Sequence, residues 1–401
     1  MPTPRLTEDE VAARADTSVE RVRELARLGI LTPSDGTFDR VDVLRARVVA
    51  RLEAKGIPAD ALSAALASGD LTLGYLESAG RRFPRIDQTL HEFAEANGVA
   101  PEAVQRAYLA CGLPAPDDDE RLREEDVAIV KALPVMFAAG VEEGDVLRAL
   151  RVWGDAVRRV AQFQSHHFHR TIEEPFRRRG LRDNEAFEAA IREVGLRLGH
   201  LGEEMIGWLL RRHAETFQTE HEFEHVETAL DLAGVRPRVE RGVGAAAFAD
   251  LTGYTHLTEE EGDEVAAGIS LTLARLVSEV AVRHRGEVVK MLGDGVHFHF
   301  PDPADAVRAS LDVVDIVRPT GLPPAHIGVN AGPMIYDEGD YFGRTVNLAA
   351  RIASQAKADQ VFVGEDLERV VEPDGFAFTE VGAFELKGIA GRVTLFQAVR
   401  A

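Results

Sequence analysis

Two aspartates are spaced as a hard metal ion would require. Asp250 closes Gly244–Leu251, a stretch with the apolar texture of a buried strand. Asp294 sits in Gly293-Asp294-Gly295, a tight-turn signal between the apolar stretches Glu287–Leu292 and Val296–Phe300. If those strands are neighbours, both carboxylates converge at one end of a sheet. There they can cradle one or two Mg²⁺ ions, which take oxygen ligands and substrate phosphates. Leu251-Thr252-Gly253-Tyr254-Thr255 then turns into a helix, whose N–H groups suit a phosphate chain. Asn347 and Arg351 stand four apart in a helical stretch, so an amide and a guanidinium share one face able to hold a ribose and a phosphoryl oxygen. Each feature also has an ordinary reading. Asp-Gly is common hairpin chemistry, Thr-Gly before a helix is common capping, and a helix arginine is commonly just solvated. Their combination and order are far more specific than any one of them.

The elements that must position these groups alternate between short apolar strands and helices. Thr258 reads as the cap of a long helix running to about His284. A helix over about 303–317, a strand near 327–331, a helix from about 345 to 355 and strands near 360–363, 376–381 and 393–399 follow. The first half of this order is βαββαβ, which predicts a ferredoxin-like sheet. Residues 1–235 instead read as nearly all helix, broken by turns such as Gly56-Ile57-Pro58 and Pro114-Ala115-Pro116-Asp117. The main joint is Gly234-Val235-Arg236-Pro237-Arg238. The expected fold class is multidomain: an all-α N-terminal half (1–76 and 77–235) and an α/β ferredoxin-like domain (236–401).

Composition narrows the class. The 401 residues are 45% hydrophobic, enough for real cores, and carry 46 basic against 67 acidic side chains, a formal charge of -21. That balance opposes sequence-independent binding to nucleic acid or anionic lipid, both of which need a positive field. The charge falls unevenly, net -2 over 1–76, -10 over 77–235 and -9 over 236–401. A single cysteine, Cys111, excludes an intramolecular disulfide framework and a cysteine-rich zinc site. No apolar run is expected to reach the roughly 18 residues a membrane span needs, and the first ten residues lack a secretory pattern, so a cytoplasmic protein is expected.

Three segments, 248–255, Lys290-Met291-Leu292-Gly293-Asp294-Gly295 and 340–351, together resemble the three signatures of class III nucleotidyl cyclase catalytic domains, in order, spacing and flanking strands. The resemblance implies that Asp250 and Asp294 bind two Mg²⁺ or Mn²⁺ ions per site. It implies that Lys290 and Asp340 select adenine, through N1 and the N6 amine, and hence that ATP is the substrate. Asn347 is implied to orient the ribose and Arg351 to stabilise charge on the transferring phosphate. Residues Leu251 to Thr255 would contact the phosphates, and Lys387, in Glu385-Leu386-Lys387-Gly388, the terminal one. Tyr254 stands where the family often has Phe. The family shares its sites between two subunits, which implies a homodimer.

Residues 6–53 resemble a MerR-type helix-turn-helix with its wing. Arg21, Arg23, Arg27, Arg40, Arg45 and Arg47 lie there among at least as many acids, so a helical interaction module is favoured over a DNA reader. The alternative for the whole chain is a DNA-binding transcription regulator whose cyclase-like domain senses nucleotide. Residues from about 90 to 232 resemble the regulatory domain of pH-sensitive, autoinhibited mycobacterial-type adenylyl cyclases. Seven of the 13 histidines fall between residues 166 and 225: His166, His167, His169, His200, His213, His221 and His225. Histidine titrates near neutrality, so these can bias an on/off equilibrium, or simply be scattered surface residues. Met205, Ile206, Trp208, Leu209 and Leu210 are apolar enough to line a lipid-like ligand site, though core or dimer interface is the commoner use.

Overall fold

Capping side chains set the first helix starts. Thr7 and Glu10 form a reciprocal capping box on α1 (Glu8–Ala15), Ser18 caps α2 (Val19–Arg27), and Asp39 with Asp42 caps α3 (Arg40–Glu53). The bridges Leu6↔Phe38 and Ser34↔Thr37 close a small wing. With α4 (Ala59–Ala67) these elements enclose their own core, around Val11, Val22, Leu25, Ile30, Phe38 and Val49. The coordinates are a computed structural model that describes residues 5–73, 85–116, 121–235 and 243–401. Asp117 and the Arg236-Pro237-Arg238 part of the expected joint lie outside the described residues.

The chain forms two compact units, residues 1–223 and 224–401. The first continues with β1 (Arg85–Thr89), which pairs antiparallel with β2 (Arg121–Arg123). This ribbon departs from the all-helix expectation: β1 holds a single apolar residue, Ile86, and β2 has only three residues, so neither shows a period-two apolar pattern. A second core, including Leu90, Phe93, Val104, Leu122, Val130 and Leu150, lies among α5 (Leu90–Ala96), α6 (Pro101–Ala110), α7 (Val127–Ala138) and α8 (Glu143–His167). A π-helical turn, Phe168–Glu173, leads to α9 (Glu174–Arg178) and α10 (Asp183–Ala190). A second, Ile191–Gly195, leads into α11 (Leu196–Leu232), one helix of 37 residues.

The second unit is a seven-stranded sheet in the order β10-β11-β9-β6-β3-β5-β4. Its strands are β3 (Gly244–Leu251), β4 (Glu287–Leu292), β5 (Gly295–Phe300), β6 (Ala325–Gly332), β9 (Val361–Gly364), β10 (Phe376–Glu385) and β11 (Arg392–Arg400). The helices are α12 (Tyr254–Glu261), α13 (Asp263–Arg283), α14 (Pro303–Val317), α15 (Arg344–Ala353) and α16 (Glu365–Val370), and β7 (Ile335–Asp337) with β8 (Asp340–Phe342) forms a separate hairpin. The run β3-α-β4-β5-α14-β6, with β6-β3-β5-β4 side by side, is the expected ferredoxin-like arrangement. Alternation splits the sheet into two faces. Ala245, Ala247 and Ala249, Val296, Phe298 and Phe300, and Ile327 and Val329 pack in the core with α13 and α14. The opposite face carries the polar residues, and α15 covers its β6 side.

Two expectations need correction here. Thr258 does not cap the long helix. The helix starts at Tyr254 and breaks at Gly262, whose φ of 86° resets the chain before Asp263, while Thr258 Oγ1 bonds back to the Tyr254 carbonyl at 3.0 Å. And α13, with a mean hydropathy of 1.6 over an 18-residue window, is long and apolar enough to cross a membrane by length and composition. Its Leu273, Leu276, Val277, Val280 and Ala281 belong to the core on the sheet's inner face.

Candidate active site

Register builds the polar face row by row. Asp250 pairs with Gly295 on one side and His326 on the other, Phe248 with His297 and Gly328, and Ala246 with His299 and Asn330. β4 extends the rows: Leu292 opposes Gly295, Lys290 opposes His297, and Glu287 opposes His299. Glu287 and Lys290 are three apart and would point to opposite faces of a regular strand. The bulge between Val288 and Lys290 brings them to one face, and so aims Lys290.

At one end of this face Asp250 and Asp294 stand together. Burial first, and the Asp294 carboxylate second, push the Asp250 pKa up, with His326 opposing them. The His326 Nε2 lies 3.8 Å from Asp250 Oδ2, and its Nδ1 meets Thr252 Oγ1 at 3.2 Å. Two carboxylates side by side on a rigid hairpin and strand end fit a hard divalent cation. Among the described residues no group of three or more His, Cys, Asp or Glu could hold a metal, so water and substrate oxygens would have to complete any coordination sphere.

The turn after Asp250 is partly committed to structure. Thr252 N–H bonds the Pro324 carbonyl at 2.9 Å, and Gly253 takes the left-handed conformation, φ 80°. Leu251 is buried at the strand end. The N–H groups at Tyr254 and Thr255 open α12, where a helix leaves its first donors without intrahelical partners. Tyr254 hydroxyl is spent on α13, donating to the Ala266 carbonyl at 2.9 Å and meeting Ser270 Oγ at 2.8 Å.

One row further along, Lys290 donates a short bond to Asp340 Oδ2, and Tyr341 N–H bonds Asp340 Oδ1 at 2.9 Å. Burial alone would raise the Asp340 pKa, but the bond from Lys290 and the Tyr341 N–H hold it below the usual carboxylate range. Beside it, Tyr341 donates to Glu287 at 2.8 Å and stacks on His299 at 3.9 Å. His299, foremost, and Tyr341 keep the Glu287 pKa low. Asn347 and Arg351 are exposed together on α15, without side-chain partners among the described residues. Lys387 lies in the exposed turn between β10 and β11, at the sheet edge opposite β4; the single chain does not bring it to the others.

Sequence reasoning missed His297, His299, His326, Glu287 and Tyr341. A signal was present in Val296-His297-Phe298-His299-Phe300, whose strict alternation places both histidines away from the apolar core.

In the helical unit the histidines divide. His169 makes a short bond to Glu173, a carboxylate only 2% exposed that also takes Arg177, and stacks with Phe187 at 6.0 Å. His166, His200, His213, His221 and His225 are exposed, and His167 meets Thr171 Oγ1 at 3.4 Å. Met205, Trp208, Leu209 and Leu210 are exposed in the single chain and enclose no ligand site there. In the helix-turn-helix segment Arg21 binds Glu24 and Glu53, Arg23 binds Glu8, Arg45 binds Asp42, and Arg47 caps the Arg14 carbonyl. Much of its basic charge is thus consumed internally, which does not favour DNA.

Residues 34–214 match the adenylate cyclase regulatory domain family, and residues 243–399 the adenylate and guanylate cyclase catalytic domain family. The pH-sensitive adenylate cyclase MT1302 of Mycobacterium tuberculosis is 28% identical over 320 residues, 77% of each chain. An uncharacterized Mycobacterium tuberculosis protein is 31% identical over 317 residues, 77% of this chain and 78% of its own. An adenylate cyclase of Streptomyces coelicolor is 29% identical over 72% of each chain. The crystal structure of the adenylyl cyclase CyaB from P. aeruginosa covers 40% of this chain and 96% of its own, at 23% identity and a TM-score of 0.36.

Proposed function

The chain belongs to the class III nucleotidyl cyclases, with an adenylate cyclase regulatory domain ahead of the catalytic one, and from that premise we propose that it converts ATP to 3′,5′-cyclic AMP and pyrophosphate as a homodimer. The observation that carries this reading is the pair of preformed contacts on one sheet face, Asp250 with Asp294 and Lys290 with Asp340. The ribose 3′-oxygen forms a bond to the α-phosphorus as the bond to the β-phosphate bridging oxygen breaks, and pyrophosphate leaves with that electron pair. Lys290 donates to adenine N1, and Asp340 accepts from its amine. Asn347 orients the ribose, Arg351 stabilises charge on the transferring phosphoryl group, and the first N–H groups of α12 face the phosphates. Two Mg²⁺ or Mn²⁺ ions, held by Asp250 and Asp294, would neutralise phosphate charge and ease ionisation of the 3′-hydroxyl. No side chain here is an obvious general base, and Asp250 on a metal would be a poor one, so the 3′-hydroxyl proton passes to water.

The dimer is supported by groups left over in one chain. Asn347, Arg351 and Lys387 are exposed, and Ile335, Tyr336 and Phe342 of the β7–β8 hairpin stand 67%, 64% and 49% exposed. We take residues 1–76, 77–235 and 236–401 as the functional divisions of a cytoplasmic enzyme, with the N-terminal half setting catalytic output in response to pH or a lipid-like ligand. The match at residues 34–214 and the relative named as pH-sensitive support that assignment. The test is to incubate the purified full chain with ATP and Mn²⁺ or Mg²⁺ from pH 5 to pH 8 and quantify cyclic AMP, with chelator as control. Metal-dependent product is expected; no product anywhere in that range sinks the reading.

A further inference from the structure

His297 is a fully buried imidazole, and neither of its ring nitrogens has a hydrogen-bond partner among the described residues. Unpartnered buried nitrogens are costly, so such a ring calls for a reason. It lies flat on Phe248, centroids 4.4 Å apart and planes 5° from parallel, which fixes its orientation. Its Nδ1 is 3.9 Å from Asp340 Oδ1, close enough to face the carboxylate and too far to bond it. Asp340 is occupied otherwise, by Lys290 on Oδ2 and by the Tyr341 N–H on Oδ1.

A purine that takes the Lys290 ammonium on N1 and presents its amine to Asp340 has to separate that pair. The carboxylate then loses its counter-charge and the tether on Oδ2, and keeps only the Tyr341 N–H on Oδ1. Resting on the base-selecting reading of Lys290 and Asp340, we infer that His297 is a positioning residue: as the base parts the pair, Nδ1–H of His297 takes Asp340 Oδ1 and holds the carboxylate towards the purine amine. A shift of about an ångström closes the gap to bonding distance. Burial, with Asp340 opposing it and Lys290 and His299 adding to it, pushes the His297 pKa down to about 4. The ring is therefore neutral at neutral pH, and offers a donor without a second positive charge. A carboxylate held in this way accepts from the adenine amine and rejects the guanine carbonyl, so the consequence is selectivity.

The experiment measures kcat/KM for ATP and for GTP side by side in the full-length protein and its variants. His297→Leu removes the donor at similar volume, whereas His297→Asn keeps an amide N–H close to the Nδ1 position. We expect the ATP-to-GTP ratio to fall roughly tenfold in His297→Leu, mainly through KM for ATP, and to stay within about twofold in His297→Asn. The ratio is indifferent to the folded fraction of a preparation. If His297→Leu is inactive, His297→Val takes its place as the variant without a donor, read against His297→Asn. An unchanged ratio in His297→Leu, or an equal loss in both variants, overturns the inference. Asp340→Ala separates the two levels: loss of selectivity there, with none in His297→Leu, strikes only His297. An unchanged ratio in Asp340→Ala strikes the base-selecting reading itself.

Discussion

Asp250 and Asp294 are held together at a sheet end although the Asp294 carboxylate, after burial, penalises the Asp250 charge. Folding gains nothing from that proximity, and groups kept against their own electrostatics belong to function more often than to stability. The two properties should therefore separate on mutation. Asp294→Ala should lower cyclic AMP formation by on the order of a hundredfold or more, as expected when an electrostatic element of a charged transition state is removed. The same change should leave the thermal midpoint equal to or above that of the parent, because one of two like charges is gone. Activity assay and melting curve on one preparation test both halves, and retained activity would refute the metal assignment. Legibility at this scale followed chemistry: aspartates in a turn could be seen in sequence. The roles of His297 and Tyr341 could not, because they depend on register across β3, β4 and β5 and on a hairpin 40 residues further on.

Elements convert those residues into a site by close approach. β6 presents Gly328 to α15, the helix bearing Asn347 and Arg351, and a Cβ at Gly328 would lie 2.0 Å from the Ala353 backbone nitrogen. Backbone cannot move aside as a flexible side chain can, so Gly328→Ala should push α15 off the sheet. The expected cost is about 1–3 kcal/mol of stability, with a fall in kcat larger than that loss explains at a temperature where the variant remains folded. Denaturant titration and steady-state kinetics at 20–25 °C check this; normal kcat would show that α15 tolerates displacement. The strands flanking this contact were legible, since β3, β5 and β6 alternate cleanly or run apolar. The Gly262 break was hidden, because apolar periodicity continues on both sides of it. The β7–β8 hairpin was hidden too, its three-residue strands, Ile335-Tyr336-Asp337 and Asp340-Tyr341-Phe342, being shorter than any period needs.

At the scale of the molecule, one chain carries every proposed site group once but leaves several facing solvent. Asn347 and Arg351 stand on α15 without side-chain partners among the described residues, and Lys387 sits at the far sheet edge. Along α11, Trp208 and Leu210 are 54% and 69% exposed, apolar area that a lone chain does not cover. A symmetric dimer accounts for both facts, since a two-fold axis can bring the proposed metal-binding aspartates of one copy to the α15 residues of the other. This arrangement has a genetic signature. Asp250→Ala and Asn347→Ala should each be inactive alone as homodimers. In a mixed dimer, one site collects both defects and the other collects neither. Random reassociation of equal amounts makes half the dimers mixed, each with one good site of two, so activity should recover to roughly a quarter of the parental value. Differently tagged subunits, co-purified to show that mixed dimers formed, make the result decisive. Mixed dimers as inactive as either parent would mean that each chain completes its own site, and the exposed groups on α15 would then need another explanation.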